Sequence, residues 1–144
     1  MTRFLDRLQP LGLLAMRLSL GAIMIAHGWA KLMNPGMARA VASGAGAPAW
    51  MAYLVIAAEF FGGILVVLGL LTRPAAAAIL IDMTVAILKV HLKNGFIGQG
   101  NYQFPLACWA LAFALIFFGA GPIAIDSVLG GRGGRRAGGL RAAG

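Results

Sequence analysis

Charged residues are scarce in this sequence, and acidic residues are the scarcest of all. Only 11% of its 144 residues are charged and only 4 are Asp or Glu, whereas 60% are hydrophobic. A soluble domain would have about 25% charged residues. The composition therefore excludes an ordinary soluble protein and predicts an integral membrane protein, which at this length is expected to form one domain.

Cysteine is almost absent, and so are the motifs of enzymes that bind their own cofactor. The one cysteine, Cys108, cannot form a disulfide within the chain. Because it lies in an apolar segment, we interpret it as a packing residue rather than a nucleophile. The sequence has no Gly-rich phosphate loop, nucleotide-binding fingerprint, Cys-x-x-Cys motif or cluster with metal-ligand spacing. We therefore expect no metal site, and no flavin or nicotinamide site in the chain itself.

The sequence does contain four long apolar segments, and these predict an all-α fold. We expect a four-helix transmembrane bundle within residues 1–129. Its helices are predicted at about 11–33, 49–71, 74–91 and 104–120. Residues 34–48 are rich in Gly, Ala and Pro and are interpreted as a loop, and residues 130–144, mainly Gly and Arg, as a disordered cytoplasmic tail.

Basic residues outnumber acidic residues, 12 to 4. In a membrane protein such an excess indicates topology and contact with anionic lipid, so no nucleic-acid partner is expected. Four spans place both termini on one side of the membrane. The 12 basic residues then divide into eight on that side and four on the other, which predicts cytoplasmic termini.

One acidic residue, Glu59, lies deep in the second apolar segment. It follows the start of the segment by about ten residues, which places it ~15 Å into the bilayer, near the midplane. A charged side chain at that depth costs roughly 2.5–3.5 kcal/mol, so we expect Glu59 to face the bundle interior and to have a partner. Ala58 and Gly62 leave room beside it for a neighbouring helix.

Other ionisable side chains on the first and third segments sort into two depths. Arg17 and Asp82 fall in the half of the bilayer nearer the termini, and we predict that they form a buried charge pair. The opposite half contains further basic groups. We predict a functional site in which Glu59 contacts one or more of them: His27, Lys31 and Lys89.

Two other interpretations of these residues stay open. Both sets of charges could be structural, fixing the register of the helices, and Glu59 would then be half of a permanent ion pair rather than a proton carrier. His27 and His91 could be imagined as two haem ligands, but their different heights in the bundle disfavour this.

Several of these residues lie in motifs that resemble the DoxX family. The most specific is Glu59-x-x-Gly-Gly followed by Leu-Gly-Leu-Leu-Thr-Arg at residues 68–73. Arg17 to Gly21, His27-Gly28-x-x-Lys31 and Gly-x-Gly-Pro with Asp126 also fit the pattern. The sequence departs from the family at Gln103, where members often have Glu, so a role for a second carboxylate near that helix start is in doubt.

The resemblance implies a small four-helix protein of the bacterial inner membrane. Family members are linked to quinone-dependent thiosulfate oxidation and to membrane complexes that protect against oxidative stress. The resemblance therefore implies a quinone-interacting or partner-anchoring subunit, at most the membrane subunit of an oxidoreductase. Its expected cofactor is a quinone, and its expected partners are redox enzymes and the lipid bilayer. A homo-oligomer, a small proton-coupled transporter or permease, and a structural membrane scaffold stay open as alternatives.

Overall fold

The structure, a computed structural model, describes residues 2–130, and the predicted tail lies outside the described residues from 131 onward. Within the described part every regular element is helical. The five main helices, with their π-helical and 3₁₀ segments included, are α1 (Thr2–Met33), α2 (Pro35–Gly44), α3 (Met51–Leu68), α4 (Thr72–Asn94) and α5 (Gln103–Phe118). Residues 125–130 add a short helical segment.

Three of these helices are long and apolar enough to cross a membrane: α1 over Asp6–Met33, α3 and α4. The fourth apolar helix, α5, has 16 residues and is shorter than the ~20 residues that usually span the hydrocarbon core. An all-α membrane protein is therefore confirmed. A fourth span through α5 stays a prediction.

The predicted start of the first helix is wrong, because α1 begins at Thr2 rather than near Leu11. Pro10 lies inside the helix. Proline lacks a backbone N–H, so it removes the hydrogen bond to the carbonyl of Asp6, but the helix continues on both sides of this break.

The predicted loop at 34–48 is also wrong over most of its length, because Pro35–Gly44 form α2. The Asn34 side chain caps this helix by accepting a hydrogen bond of 3.4 Å from the Met37 backbone N–H. Pro35 occupies the first helical position, where its missing N–H has no cost. Alanines give little periodic signal, and the buried side chains of α2 are Ala38 and Ala42.

Two helices contain π-helical segments in place of a regular α-helical turn. In α3 the segment is Ala57–Phe61, with Glu59 at its centre, and in α4 it is Ala86–His91. Such segments are rare and occur frequently at functional sites. Both segments contribute residues to the cavity beside Glu59 that is described below.

Glycines let α1 and α3 pack with their backbones in contact. A Cβ on Gly28 would lie 2.5 Å from the backbone nitrogen of Phe60, and one on Gly63 would lie 2.9 Å from the backbone nitrogen of Ile25. Only small residues allow such an approach. Lys31 follows Gly28 by one helical turn, so this contact brings Lys31 to the level of Glu59.

Candidate functional site

Glu59 forms a buried ion pair with Lys31. The Lys31 Nζ donates a hydrogen bond to Glu59 Oε1. Glu59 is 3% exposed and Lys31 9% exposed, so the pair is shielded from the surroundings of the helices. Of the three basic side chains predicted as partners of Glu59, the structure places Lys31 in this contact.

Asp82 of α4 joins the same pair. Its carboxyl group lies close enough to Glu59 and Lys31 to interact with the charges of both, and all three residues line one cavity. Glu59 Oε2 and Asp82 Oδ2 are both buried and have no hydrogen-bond partner in the part of the chain that the structure describes. We call these three residues the Glu59 cluster. Buried polar atoms are nearly always hydrogen-bonded, so two unpaired oxygens in one cluster make it a candidate for binding a ligand or a proton.

A polar cavity of about 520 Å³ opens beside the Glu59 cluster. Its wall includes all three cluster residues together with His27 and His91. Apolar side chains line other sides of the cavity. Residues at the start of α5 and just before it also line the cavity: Gly100, Asn101, Phe104 and Pro105. The cavity wall is therefore assembled from five parts of the sequence: the four helices α1 to α4 and residues 100–105.

The two histidines each contact the segment at 100–104. The His27 ring packs on Phe104 with their centroids 5.2 Å apart. His91 Nδ1 lies 2.7 Å from the carbonyl oxygen of Gly100. A carbonyl oxygen can only accept, so this Nδ1 carries the proton, which leaves His91 Nε2 as the acceptor in the neutral ring.

Lys89 is not part of this site, although the sequence predicted it as a candidate. Its side chain is exposed and lines neither the polar cavity nor the groove described next. The prediction assumed a regular α-helix, in which Asp82 and Lys89 share a face. The π-helical segment at Ala86–His91 advances fewer degrees per residue, so Lys89 is rotated away from Asp82.

An apolar groove of about 590 Å³ lies between α3 and α4, closed at one side by α2. Exposed side chains such as Leu54, Phe61 and Ile81 border it, so it opens on the face that would contact lipid. Five residues line both the groove and the polar cavity: Val41, Val55, Asp82, Ala86 and Val90. Asp82 is the only ionisable residue among them, and it marks the point where the apolar and polar spaces meet.

Arg17 lies elsewhere and does not pair with Asp82, which corrects the predicted charge pair. Its guanidinium group donates hydrogen bonds to the carbonyl oxygens of Val66 (3.0 Å), Val67 (2.7 Å), Ala120 (2.9 Å) and Ile123 (2.6 Å). These carbonyls lie at the end of α3 and just after α5. Arg17 therefore lies near the start of α4, whereas Asp82 is about three turns (~15 Å) along that helix.

Asp126 completes the surroundings of Arg17 by capping α4. Its two carboxylate oxygens accept hydrogen bonds from the backbone N–H groups of Leu71 (2.9 Å) and Thr72 (3.1 Å). Burial, the largest single influence, would raise the pKa of Asp126, but the hydrogen bonds from Thr72 and Leu71 and the charge of Arg17 together lower it. We call Arg17, Asp126 and the four carbonyl groups the Arg17 cluster.

Gly69 fits against this cluster for two reasons. Its φ is +66°, a left-handed conformation that ends α3 and suits glycine. A Cβ there would lie 2.6 Å from Arg17 Nη2. The Leu-Gly-Leu-Leu-Thr-Arg motif and the later Asp126 are thus parts of one structural contact, which the sequence analysis did not recognise. Two signals could have indicated it: the glycine after α3, and an acidic residue beyond the last apolar helix.

Cys108 is buried in α5 with 1% of its surface exposed, where it packs in the core with Met24, Met83 and Ala112 among others. No group of three or more His, Cys, Asp and Glu side chains in residues 6–130 is arranged to hold a metal ion.

Comparison with known proteins identifies the family. The sequence model of the DoxX family matches residues 12–92. This range contains Arg17 and all three residues of the Glu59 cluster, and it ends before α5.

Three curated relatives cover most of the chain. The "Putative oxidoreductase CatD" of Bacillus subtilis is 31% identical over 105 residues, which is 73% of this chain and 78% of the relative. An uncharacterized protein of Haemophilus influenzae is 33% identical over 132 residues, 85% of this chain and 94% of the relative. An uncharacterized membrane protein of Mycobacterium tuberculosis is 34% identical over 119 residues, 78% of this chain and 69% of the relative. No solved structure matches the chain.

Proposed function

This chain belongs to the DoxX family, and we propose that it is a quinone-binding membrane subunit of a redox system. The observation that carries the proposal is the junction at Asp82, where an apolar groove open to lipid meets the cavity lined by the Glu59 cluster. The name of the Bacillus subtilis relative, an oxidoreductase, supports the same class of function.

The two spaces match the two halves of a quinone. A quinone has a polar ring with two carbonyl oxygens and a long apolar tail, and it resides in the bilayer. The groove of about 590 Å³ would hold part of the tail, and the cavity of about 520 Å³ would hold the ring. Both volumes lie in the range of ordinary ligand sites, about 300–1,000 Å³.

The side chains of the cavity suit a quinone ring. Lys31 and His27 can donate hydrogen bonds to carbonyl oxygens, His91 Nε2 can accept one from a hydroxyl group, and the carboxyl groups of Glu59 and Asp82 can exchange protons with a hydroxyl group. A bound quinone supplies two-electron, two-proton redox chemistry. We propose that the electrons are exchanged with a partner redox enzyme, because the sequence contains no nucleotide-binding or Cys-x-x-Cys motif.

Binding of a quinone to the purified protein tests the proposal. Protein in nanodiscs is titrated with a photoreactive quinone analogue, and the labelled peptides are identified by mass spectrometry. We expect saturable labelling in α3 and α4 that natural quinone displaces. Glu59→Gln should weaken it, and Asp126→Asn should not, since Asp126 lies in the Arg17 cluster. Equal labelling of all three proteins, or labelling that natural quinone does not displace, would contradict a specific site.

We also propose the bacterial inner membrane as the location, with both termini in the cytoplasm. The support is the distribution of basic residues along the sequence. We expect a cytoplasm-specific reporter enzyme fused to the C-terminus to be active, and a periplasm-specific reporter at the same position to be inactive. Activity of a periplasm-specific reporter would reverse the orientation and would also question the fourth span through α5.

Proton-coupled transport is a second candidate, because the same buried carboxyl groups could bind a proton and a polar solute in turn. Proteoliposomes with a trapped pH-sensitive dye separate the two functions. Solute-dependent proton movement without quinone would favour transport, whereas displaceable quinone labelling without such movement would favour the redox subunit. If neither result is obtained, a structural scaffold is the remaining interpretation.

A further inference from the structure

The charges of the Glu59 cluster do not balance if every group is ionised. Lys31 supplies one positive charge, while Glu59 and Asp82 supply two carboxyl groups that lie near each other. The ammonium group bonds Glu59 Oε1, and one further oxygen of each acid, Glu59 Oε2 and Asp82 Oδ2, is buried without a donor among the residues that the structure describes. Two adjacent carboxylates away from water repel each other strongly, and such pairs relieve the repulsion by holding one proton between them.

The other ionisable groups near the cluster do not supply the missing hydrogen bond. From α1, His27 packs on Phe104, and from α4, His91 is hydrogen-bonded to Gly100. From α5, the thiol of Cys108 is buried in the core. Lys89 is exposed on another face. Within residues 6–130, Lys31 is the one basic side chain that lies within 4.0 Å of a carboxylate oxygen of this cluster.

We propose that Glu59 and Asp82 share one proton, and that Asp82 exchanges it with a ligand in the polar cavity. Asp82 is suited to the exchange because it lines both the cavity and the groove, at the place where a ligand oxygen would enter. Lys31 bonds Glu59 Oε1, so Oε2 is the Glu59 oxygen left to share a proton with Asp82.

The exchange has a simple balance. The proton leaves the Asp82 carboxyl group and forms an O–H bond to a ligand oxygen, and both carboxyl groups are then ionised beside a single ammonium group. A proton taken up from the aqueous phase restores the pair. The identity of the ligand rests on the proposed function, in which a quinone takes its electrons from the redox partner; the shared proton does not rest on it.

Infrared spectroscopy of the protein in nanodiscs detects the proton directly. The chain has only 4 Asp and Glu residues, so the C=O stretching band of a protonated carboxyl group can be assigned by substitution. At neutral pH, without quinone, we expect one such band in the wild-type protein, shifted by transfer into D₂O. Asp6→Asn, which changes an exposed acid near the N-terminus, should leave the band unchanged. A wild-type protein without the band would overturn the proposal.

Two isosteric variants distinguish a shared proton from one held by a single acid. In Asp82→Asn the remaining Glu59 pairs with Lys31 and is ionised, and in Glu59→Gln the remaining Asp82 pairs with Lys31 instead. Both variants should therefore lose the band. A band that survives in Glu59→Gln would show that Asp82 holds the proton alone, which overturns the sharing. Lys31→Met removes the cation and should increase the intensity of the band. An unchanged intensity would contradict the idea that the Lys31 ammonium group keeps one of the two carboxyl groups ionised.

Addition of a soluble quinol analogue then tests the exchange separately. We expect the band to change in intensity or frequency as the site saturates, in wild type and not in Asp82→Asn. A band that stays unchanged while displaceable labelling shows saturation would overturn the role of Asp82 in exchange and leave quinone binding intact. If no quinone binds, the proposed function and the exchange both fail, and the band alone decides whether the proton is shared.

Discussion

The Arg17 cluster and the Glu59 cluster are both built around buried charged side chains of α1, yet they differ in how completely those charges are satisfied. Arg17 is 2% exposed and donates to four carbonyl oxygens, and Asp126 accepts two backbone N–H groups nearby. The Glu59 cluster has one cation for two carboxyl groups, and two of its buried oxygens have no partner in the described part of the chain; the cluster lines the polar cavity, and Asp82 lines the groove as well.

This difference is the one expected between a charge that holds the fold together and a charge that could bind a ligand. A fully hydrogen-bonded guanidinium group has no capacity left for a ligand, and removing it leaves helix ends unpaired. An unsatisfied carboxyl group beside a cavity has that capacity. The most specific motif of the sequence, residues 59–73, runs from one cluster to the other: its first residue belongs to the site and its glycine and threonine to the structural contact.

Arg17→Met should have the largest effect on stability. It removes donors from four carbonyl groups at once, and hydrogen bonds to a charged group contribute about 1.5–3 kcal/mol each, so we expect a loss of at least about 3 kcal/mol. The measurement is unfolding in detergent monitored by circular dichroism. Because Arg17 and Asp82 are far apart, the double variant Arg17→Met/Asp82→Asn should equal the sum of the single effects within about 0.5 kcal/mol. A clear recovery in the double variant would restore the predicted pair.

Gly28→Ala should have the next largest effect on stability. The added Cβ would lie 2.5 Å from the backbone of Phe60, so α1 and α3 must separate. Overpacking of this kind costs roughly 1–3 kcal/mol, and the shift also draws Lys31 away from Glu59, so quinone labelling should weaken too. Gly12→Ala is the matched control, because nothing lies within 4 Å of its added Cβ. Equal stability of the two variants would show that the helices do not meet at Gly28.

Glu59→Gln should change stability less than either of these, by about 1 kcal/mol or less, since Asp82 remains as a carboxylate for Lys31. The same variant is expected to weaken quinone labelling clearly. A pairing of small stability change with large functional change is the opposite of the pattern expected for Arg17→Met. If Glu59→Gln instead unfolds the protein as strongly as Arg17→Met, the Glu59 cluster is structural.

The smallest effect concerns pH. The pKa of Asp126 is lower in the folded protein than its ordinary value of 3.8, so its contribution to stability is present above that value and is lost as the pH falls through the folded pKa. Thermal unfolding between neutral and strongly acidic pH should show this loss in the wild type. Asp126→Asn should be less stable at neutral pH and should lack this part of the acid dependence. Parallel curves for the two proteins would exclude the proposed cap.

The sequence alone determined the class of the protein and the importance of a few residues. Scarce charge and long apolar segments predicted an all-α membrane protein, because lipid accepts only backbones that satisfy their own hydrogen bonds. The depth of Glu59 predicted a partner for the same reason that any buried charge needs one. These inferences depend on composition and spacing, which are properties of the chain before it folds.

Only the tertiary structure decided which partners meet. Periodicity assigned Lys89 to the face of Asp82, but a π-helical segment rotates it away, and no local pattern predicts such a segment. Depth alone paired Arg17 with Asp82, although backbone carbonyls, which every residue has and no sequence pattern marks, satisfy Arg17 instead. The contact of Gly28 with Phe60 selected Lys31 for Glu59. Partner choice depends on how closely two backbones approach, and that distance is set by packing between segments far apart in the sequence.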